Sequence, residues 1–279
     1  MFIGLRYTIV IVIISFIFAN FIACGTQFYR VAIDNDVDDS VGNNENQETS
    51  SILYGIHALG GWQSVPIQYK IDYTMNEQQI RGLQKAMYTW EKAVGKKLFE
   101  FIGKDQKNGD DFPDLYSSLS DSLNAHYLDG NWAKTGKPPI VLATTIWNAI
   151  SKSQINYITS SDIRFNINYY LIGDSLFLKS QDNKDVVDME SLALHELGHL
   201  LGLAHVSADQ DSYSIMNPTL FIGEGLTSRK LSLGDIQRIQ QIYGCEGKSC
   251  DINAIFEEME YNLSKDYSVA NNTYTDNAH

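Results

Sequence analysis

At 279 residues, with 44 % hydrophobic residues, the chain can bury one good core or two small ones. Its formal net charge of -13 argues against a nucleic-acid partner, because phosphates attract Lys and Arg. The same charge argues against electrostatic docking on anionic lipid.

At the N-terminus, Arg6 precedes an apolar run from Ile9 to Ala23, broken by Ser15 and Asn20. The run is short of the roughly 20 apolar residues that a membrane span needs. It fits the apolar region of a secretory signal over residues 1–23, with an uncleaved anchor helix as the other reading. It ends Phe21-Ile-Ala-Cys24-Gly25. Ala23 before Cys24 resembles the lipobox of bacterial lipoproteins, although Phe21 stands where leucine is usual. That resemblance implies cleavage before Cys24, lipid on Cys24, and an exported chain held on a bacterial cell membrane or outer membrane. Of three cysteines, Cys245 and Cys250 then remain as a pair. Export permits a disulfide between them, with two free thiols as the alternative. Residues 24–53 include Asp34, Asp36, Asp38, Asp39, Glu45 and Glu48 with too little apolar surface to order themselves, and read as an acidic tether.

The folded part starts near Tyr54. Val65 to Tyr73 alternates apolar and polar residues, which predicts a strand. Thr74-Met-Asn-Glu77 is a capping-box pattern, followed by Ile80, Leu83, Met87, Trp90 and Val94 at helical spacing up to Gly95. A second strand is expected from Leu98. Leu115, Leu119 and Leu123 suggest a helix over Asp114 to Leu128, with His126 at its surface. Strands are expected from Pro139 and over Ser161 to Tyr170, and a shorter one from Leu176. Asp188 is placed to cap the next helix, and Ser232-Leu-Gly-Asp235 to open the last one, which ends at Gly244. Ile252, Ile255, Phe256, Met259 and Leu263 suggest one short helix within an otherwise acidic tail, 246–279.

The chemistry is concentrated in His195-Glu-Leu-Gly-His199-Leu-Leu-Gly202-Leu-Ala-His205. On a helix, His195 and His199 lie one turn apart on one face and can reach one metal ion at about 2.0–2.1 Å. Glu196 points to a neighbouring side, poorly placed to be a ligand and well placed to take a proton from water on the metal. His205 would face away on a continuing helix, at about 100° of rotation per residue. The helix must stop, and Gly202 lets it stop by accepting a positive φ. Three imidazoles leave an open position, the mark of catalytic rather than structural zinc.

This extended motif, with Met216 eleven residues after His205 in Ser214-Ile-Met-Asn-Pro218, resembles the metzincin metallopeptidases and their Met-turn. Within them the chain resembles the matrixins, in Lys230 to Gly244, in Ser161 to Asn166 and in Pro66 to Ala93, over about 54–245. The resemblance implies an α+β fold with α/β character: a twisted, mostly parallel mixed sheet, one antiparallel edge strand above the cleft, and three main helices. It implies a zinc endopeptidase with His195, His199 and His205 on the metal, Glu196 as general base, and a side-chain pocket beside Met216 to Phe221. Calcium is a further candidate, at Asp162, Asp174, Asp182 or Asp185, each of which reads equally as a solvated loop residue.

The chain departs from the matrixin pattern in four ways. Val206 stands where Ser or Thr usually follows the third histidine, and the segment from His205 to Met216 is longer than is common. His57 and His126 are isolated, so a second histidine-rich zinc site is not expected. With no cysteine between Cys24 and Cys245, latency through a zinc-bound thiolate falls to Cys24, which lipid would block. The expected partners are a protein or peptide substrate and the membrane, for a monomeric chain. Two alternatives stay open: a surface-displayed binding module that keeps zinc for structure, and a hydrolase of non-peptide amides.

Overall fold

The structure is a computed structural model. It describes side chains for residues 54–246 and 250–265, and backbone also for 21–23, 28–33 and 266–276. Cys24, nearly all of the expected signal and most of the expected tether lie outside the described residues.

In chain order the strands are β1 (Phe21–Ala23), β2 (Phe28–Ile33), β3 (Ile67–Ile71), β4 (Phe99–Lys104), β5 (Ala125–Asp129), β6 (Ala143–Lys152), β7 (Ile155–Asn166), β8 (Tyr170–Gly173), β9 (Asp185–Asp188) and β10 (Thr219–Phe221). The helices are α1 (Glu77–Val94), α2 (Met189–Leu200), α3 (Leu233–Tyr243) and α4 (Ile252–Asp276). Six strands form one sheet in the order β2-β6-β7-β5-β3-β4. β6 runs antiparallel to β7, and the other neighbours are parallel. This is the mixed α+β architecture expected, with one difference at its edge. β2 lies outside β6, parallel to it, from Phe28 opposite Ile146 to Ile33 opposite Ser151. The segment Phe28-Tyr-Arg-Val-Ala-Ile33 precedes the first aspartate of the acidic run and is rich in strand formers. β1 pairs antiparallel with β10, and β8 parallel with β9.

α1 buries Leu83, Ala86, Met87, Trp90, Ala93 and Val94, the stripe that its spacing predicts. Its cap is Asn76, in a reciprocal box with Gln79, rather than Thr74. Thr74 is claimed by the buried Asp72, whose Oδ1 accepts from its amide and its hydroxyl. The indole of Trp90 donates to Leu194 O at 2.9 Å and fixes α1 against α2. Every residue of α2 is buried, as an apolar helix in the middle of a core must be. Each of its buried leucines contributes roughly 1.5–3 kcal/mol relative to exposure.

Several local expectations are corrected, among them the strand expected over Ser161 to Tyr170, which ends at Asn166 before a turn and β8. Asp114 to Leu128 is not a helix: Ser117–Asp121 makes a 3-10 turn, and β5 follows. Leu115 and Leu119 do share a face, but against Ile146. All five residues of β5 are buried, so it shows no alternation to read, and His126 is fully buried rather than at the surface. The stretch from Leu176 is irregular; strands β8 and β9 flank it.

α3 is capped by Ser232 and Asp235 in a reciprocal box and ends at Gly244. Cys245 and Cys250 form a disulfide with Cα atoms 5.8 Å apart. α4 is 25 residues long, far beyond the short helix expected, because no Gly or Pro interrupts 251–276. Ile255 and Met259 bury its inner face. Among the described residues no helix is long and apolar enough to cross a membrane.

Candidate active site

α2 begins at Asp188, whose carboxylate accepts from the Ser191 amide at 3.0 Å and its hydroxyl at 2.7 Å. It ends at Leu200, and Gly202 follows with φ +107. A β-carbon there would sit 2.8 Å from Ala58 O, so both the turn and the neighbouring chain require glycine. The amide of Leu203 returns to Gly198 O at 2.9 Å, and the chain brings His205 back over the helix.

The three imidazoles converge. Nε2 of His205 lies 3.1 Å from Nε2 of His199 and 3.3 Å from Nε2 of His195. Among the described residues these three are the one group of His, Cys, Asp or Glu with ligand atoms close enough to share an ion. Nδ1 of His195 donates to Ile215 O at 2.7 Å and Nδ1 of His199 to Leu203 O at 2.9 Å, which leaves Nε2 of each as a lone pair. Burial, and then His205, push His195 down to about 3, and burial with His195 and His205 pushes His199 well below the usual histidine range. Burial, helped by His57, brings His205 to about 4. The rings are therefore neutral at pH 7. Facing lone pairs repel unless a cation lies between them. A tetrahedral zinc site with bonds of 2.0–2.1 Å has ligand edges of about 3.3 Å, so the residues fit zinc.

Glu196, beside the first histidine, is fully buried. The hydroxyl of Thr145, on β6, lies 2.6 Å from its Oε2 and 3.0 Å from its backbone oxygen. Lys137, in the segment before β6, is close enough to feel this carboxylate: burial lowers its amine to about 8, while Glu196 pulls the other way. β6, which lies between β2 and β7, thus carries the hydroxyl that orients Glu196.

Met216 is fully buried, with its sulfur against Gly198 of α2. Its carbonyl accepts from the Val206 amide at 3.0 Å, and Asn217 Nδ2 donates to Val206 O at 2.9 Å. Val206 itself joins the apolar core, where a hydroxyl would find no water. Asp235 holds this turn from below, accepting from the Ile215 amide at 2.8 Å and the Ser214 hydroxyl at 2.6 Å. Since Ile215 O positions His195, the cap of α3 supports the first histidine through one residue.

Several of these residues escape a linear reading. Thr145 and Lys137 lie far from the motif along the chain, and Asp235 reads only as a cap. His57 reads as isolated, but its amide bonds to Gly202 O at 2.8 Å and its ring depresses both His199 and His205. The aspartates considered for calcium do not come together as a ligand set. Asp174 pairs with Arg229 at 2.6 Å, and Asp162 is buried with Oδ1 on the Ala125 amide. Asp182 sits in a turn with φ 52, and Asp185 opens β9.

The family model described as matrixin, Peptidase_M10, matches residues 61–244. Metalloendoproteinase 2-MMP of Arabidopsis thaliana is 48 % identical over 60 residues, 21 % of this chain and 14 % of that protein. Matrilysin of Felis catus is 46 % identical over 63 residues, 23 % of this chain and 22 % of that protein. The match thus spans less than a quarter of either relative. A solved structure of high choriolytic enzyme 1, a hatching enzyme zinc-protease from Oryzias latipes, is 13 % identical with a TM-score of 0.31, covering 73 % of this chain and 100 % of that one. That likeness is too slight to carry an argument.

Proposed function

The chain belongs to the matrixin family, and from that premise we propose that it is a zinc-dependent endopeptidase, exported and held on a bacterial membrane by lipid on Cys24. The observation that carries the catalytic reading is the convergence of three neutral imidazole nitrogens beside a carboxylate already oriented by a hydroxyl.

His195, His199 and His205 would hold the ion, and zinc bound there would lower the pKa of a water and polarise a substrate carbonyl. Glu196 takes a proton from the attacking water and passes it to the leaving amine. Thr145 keeps Oε2 in one place through this exchange, and the fully buried α2 leaves the motif no freedom to drift. A substrate strand would displace β2 from β6 and add there, with main-chain hydrogen bonds setting its register over the three histidines and alternate side chains entering pockets. The residue after the scissile bond enters beside Met216 to Phe221. Export is supported by the apolar run ending at Cys24 and by the Cys245–Cys250 disulfide, which suits an oxidising compartment.

The test is a mixed peptide library incubated with the full chain and with Glu196→Gln. The unaltered chain should contain one zinc and cleave. Glu196→Gln should keep the zinc and lose cleavage by at least two orders of magnitude, the scale of general-base loss. Equal cutting by both, or no stoichiometric zinc in the active chain, defeats the reading. Mass spectrometry of membrane-extracted protein checks the anchor: a Cys24→Ser chain should lack acyl mass and leave the membrane fraction.

A further inference from the structure

A cavity of about 290 Å³ is lined by Ile215, whose carbonyl accepts from Nδ1 of His195, by Leu220 of β10, and by Ser228 and Lys230. Its size suits one large side chain, being just below the range of pockets that hold whole ligands. Nearly all of its lining comes from the stretch between Ser212 and Lys230. Leu263 is the exception, and it comes from α4.

α4 is fastened to this cavity. Met259, one turn before Leu263 on the same face, is buried in the main core, as is Ile255. Glu260 pairs with Lys230, a residue of the cavity wall, and the Lys230 ammonium lies 5.7 Å from the centre of the Phe256 ring. Glu258 pairs with Lys92 of α1, and the disulfide ties the approach to α4 to the end of α3. The two cations in the wall are already matched: Lys230 by Glu260, and Arg229 by Asp188 and Asp174. An acidic side chain entering the cavity would compete with those carboxylates and lose hydration, whereas an apolar one meets Ile215, Leu220 and Leu263.

We infer that Leu263 of the C-terminal helix closes the pocket for the substrate side chain that follows the scissile bond, so that α4 sets the length of apolar residue accepted there. This rests on the endopeptidase reading. Leu263 is a specificity residue and touches none of the reacting groups.

The test uses the full chain and peptides that differ only after the scissile bond, carrying Ala, Leu, Phe or biphenylalanine. Leu263→Ala should raise kcat/KM for biphenylalanine relative to Leu about tenfold, equivalent to roughly 1.4 kcal/mol. Leu263→Trp should move the ratio the other way and slow Phe before Ala. Both variants should cleave the Ala peptide like the unaltered chain, which guards against a folding defect. Unchanged ratios in both variants, with cleavage intact, overturn this inference alone. Failure of the unaltered chain to cut any peptide overturns the endopeptidase reading and this inference with it.

Discussion

The sulfur of Met216 fills the space in which a β-carbon on Gly198 would stand. Gly198 lies within α2, between the first two histidines, where glycine costs about 1 kcal/mol relative to alanine. The helix bears that cost because Met216 and Trp90 both press on this point from outside it.

Gly198→Ala should therefore destabilise the protein although it improves helix propensity. Overpacking of about 1–3 kcal/mol opposes the propensity gain of about 1 kcal/mol. Urea unfolding should show a net loss of up to about 2 kcal/mol. A stabilised variant would mean that Met216 moves aside freely.

The Thr145 hydroxyl should matter to rate and not to metal. A hydrogen bond to a charged group contributes about 1.5–3 kcal/mol, so Thr145→Val should lower kcat roughly ten- to hundredfold with zinc content unchanged. Loss of zinc together with activity would instead mark Thr145 as a structural support.

β2 occupies the edge of β6 along which a substrate strand would add. A chain beginning at Tyr54 should therefore cleave peptides with a lower KM than one beginning at Gly25. Equal KM values would show that substrate does not use this edge.

His126 and Asp162 should give opposite pH dependences of stability. Burial lowers His126 to about 3 from 6.5, so the fold keeps it neutral and loses stability as pH falls from 6.5 towards 3. Burial raises Asp162 from 3.8 to about 7, so the fold keeps its proton and loses stability as pH rises from 3.8 towards 7. Between pH 4.5 and 6 the two slopes oppose, each approaching roughly 1.4 kcal/mol per pH unit. With metal chelated throughout, His126→Leu should make stability fall more on alkalinisation, and Asp162→Asn more on acidification. Urea midpoints at pH 4.5, 5.5 and 6.5 check the signs, and slopes that change in the same direction would refute the pair.

Features that depend on neighbours along the chain are legible in the residues alone. Helical spacing placed Leu83 and Trp90 inward, Asp188 capped α2, and the interval from His195 to His205 required the bend at Gly202. Such features follow from a backbone repeat and one residue's conformational freedom, both local. What lies across the sheet or between distant segments depends on three-dimensional packing. The Leu115 and Leu119 pattern fits a helix as well as a turn, and only packing against Ile146 chooses. β5 is covered on both faces, which erases the alternation that would reveal it and hides the burial of His126. Thr145 meets Glu196 from 51 residues away, Asp235 reaches His195 through Ile215, and Leu263 reaches a cavity built mainly by another segment. No periodicity along the chain encodes those meetings, because they are fixed by how separate elements share one core.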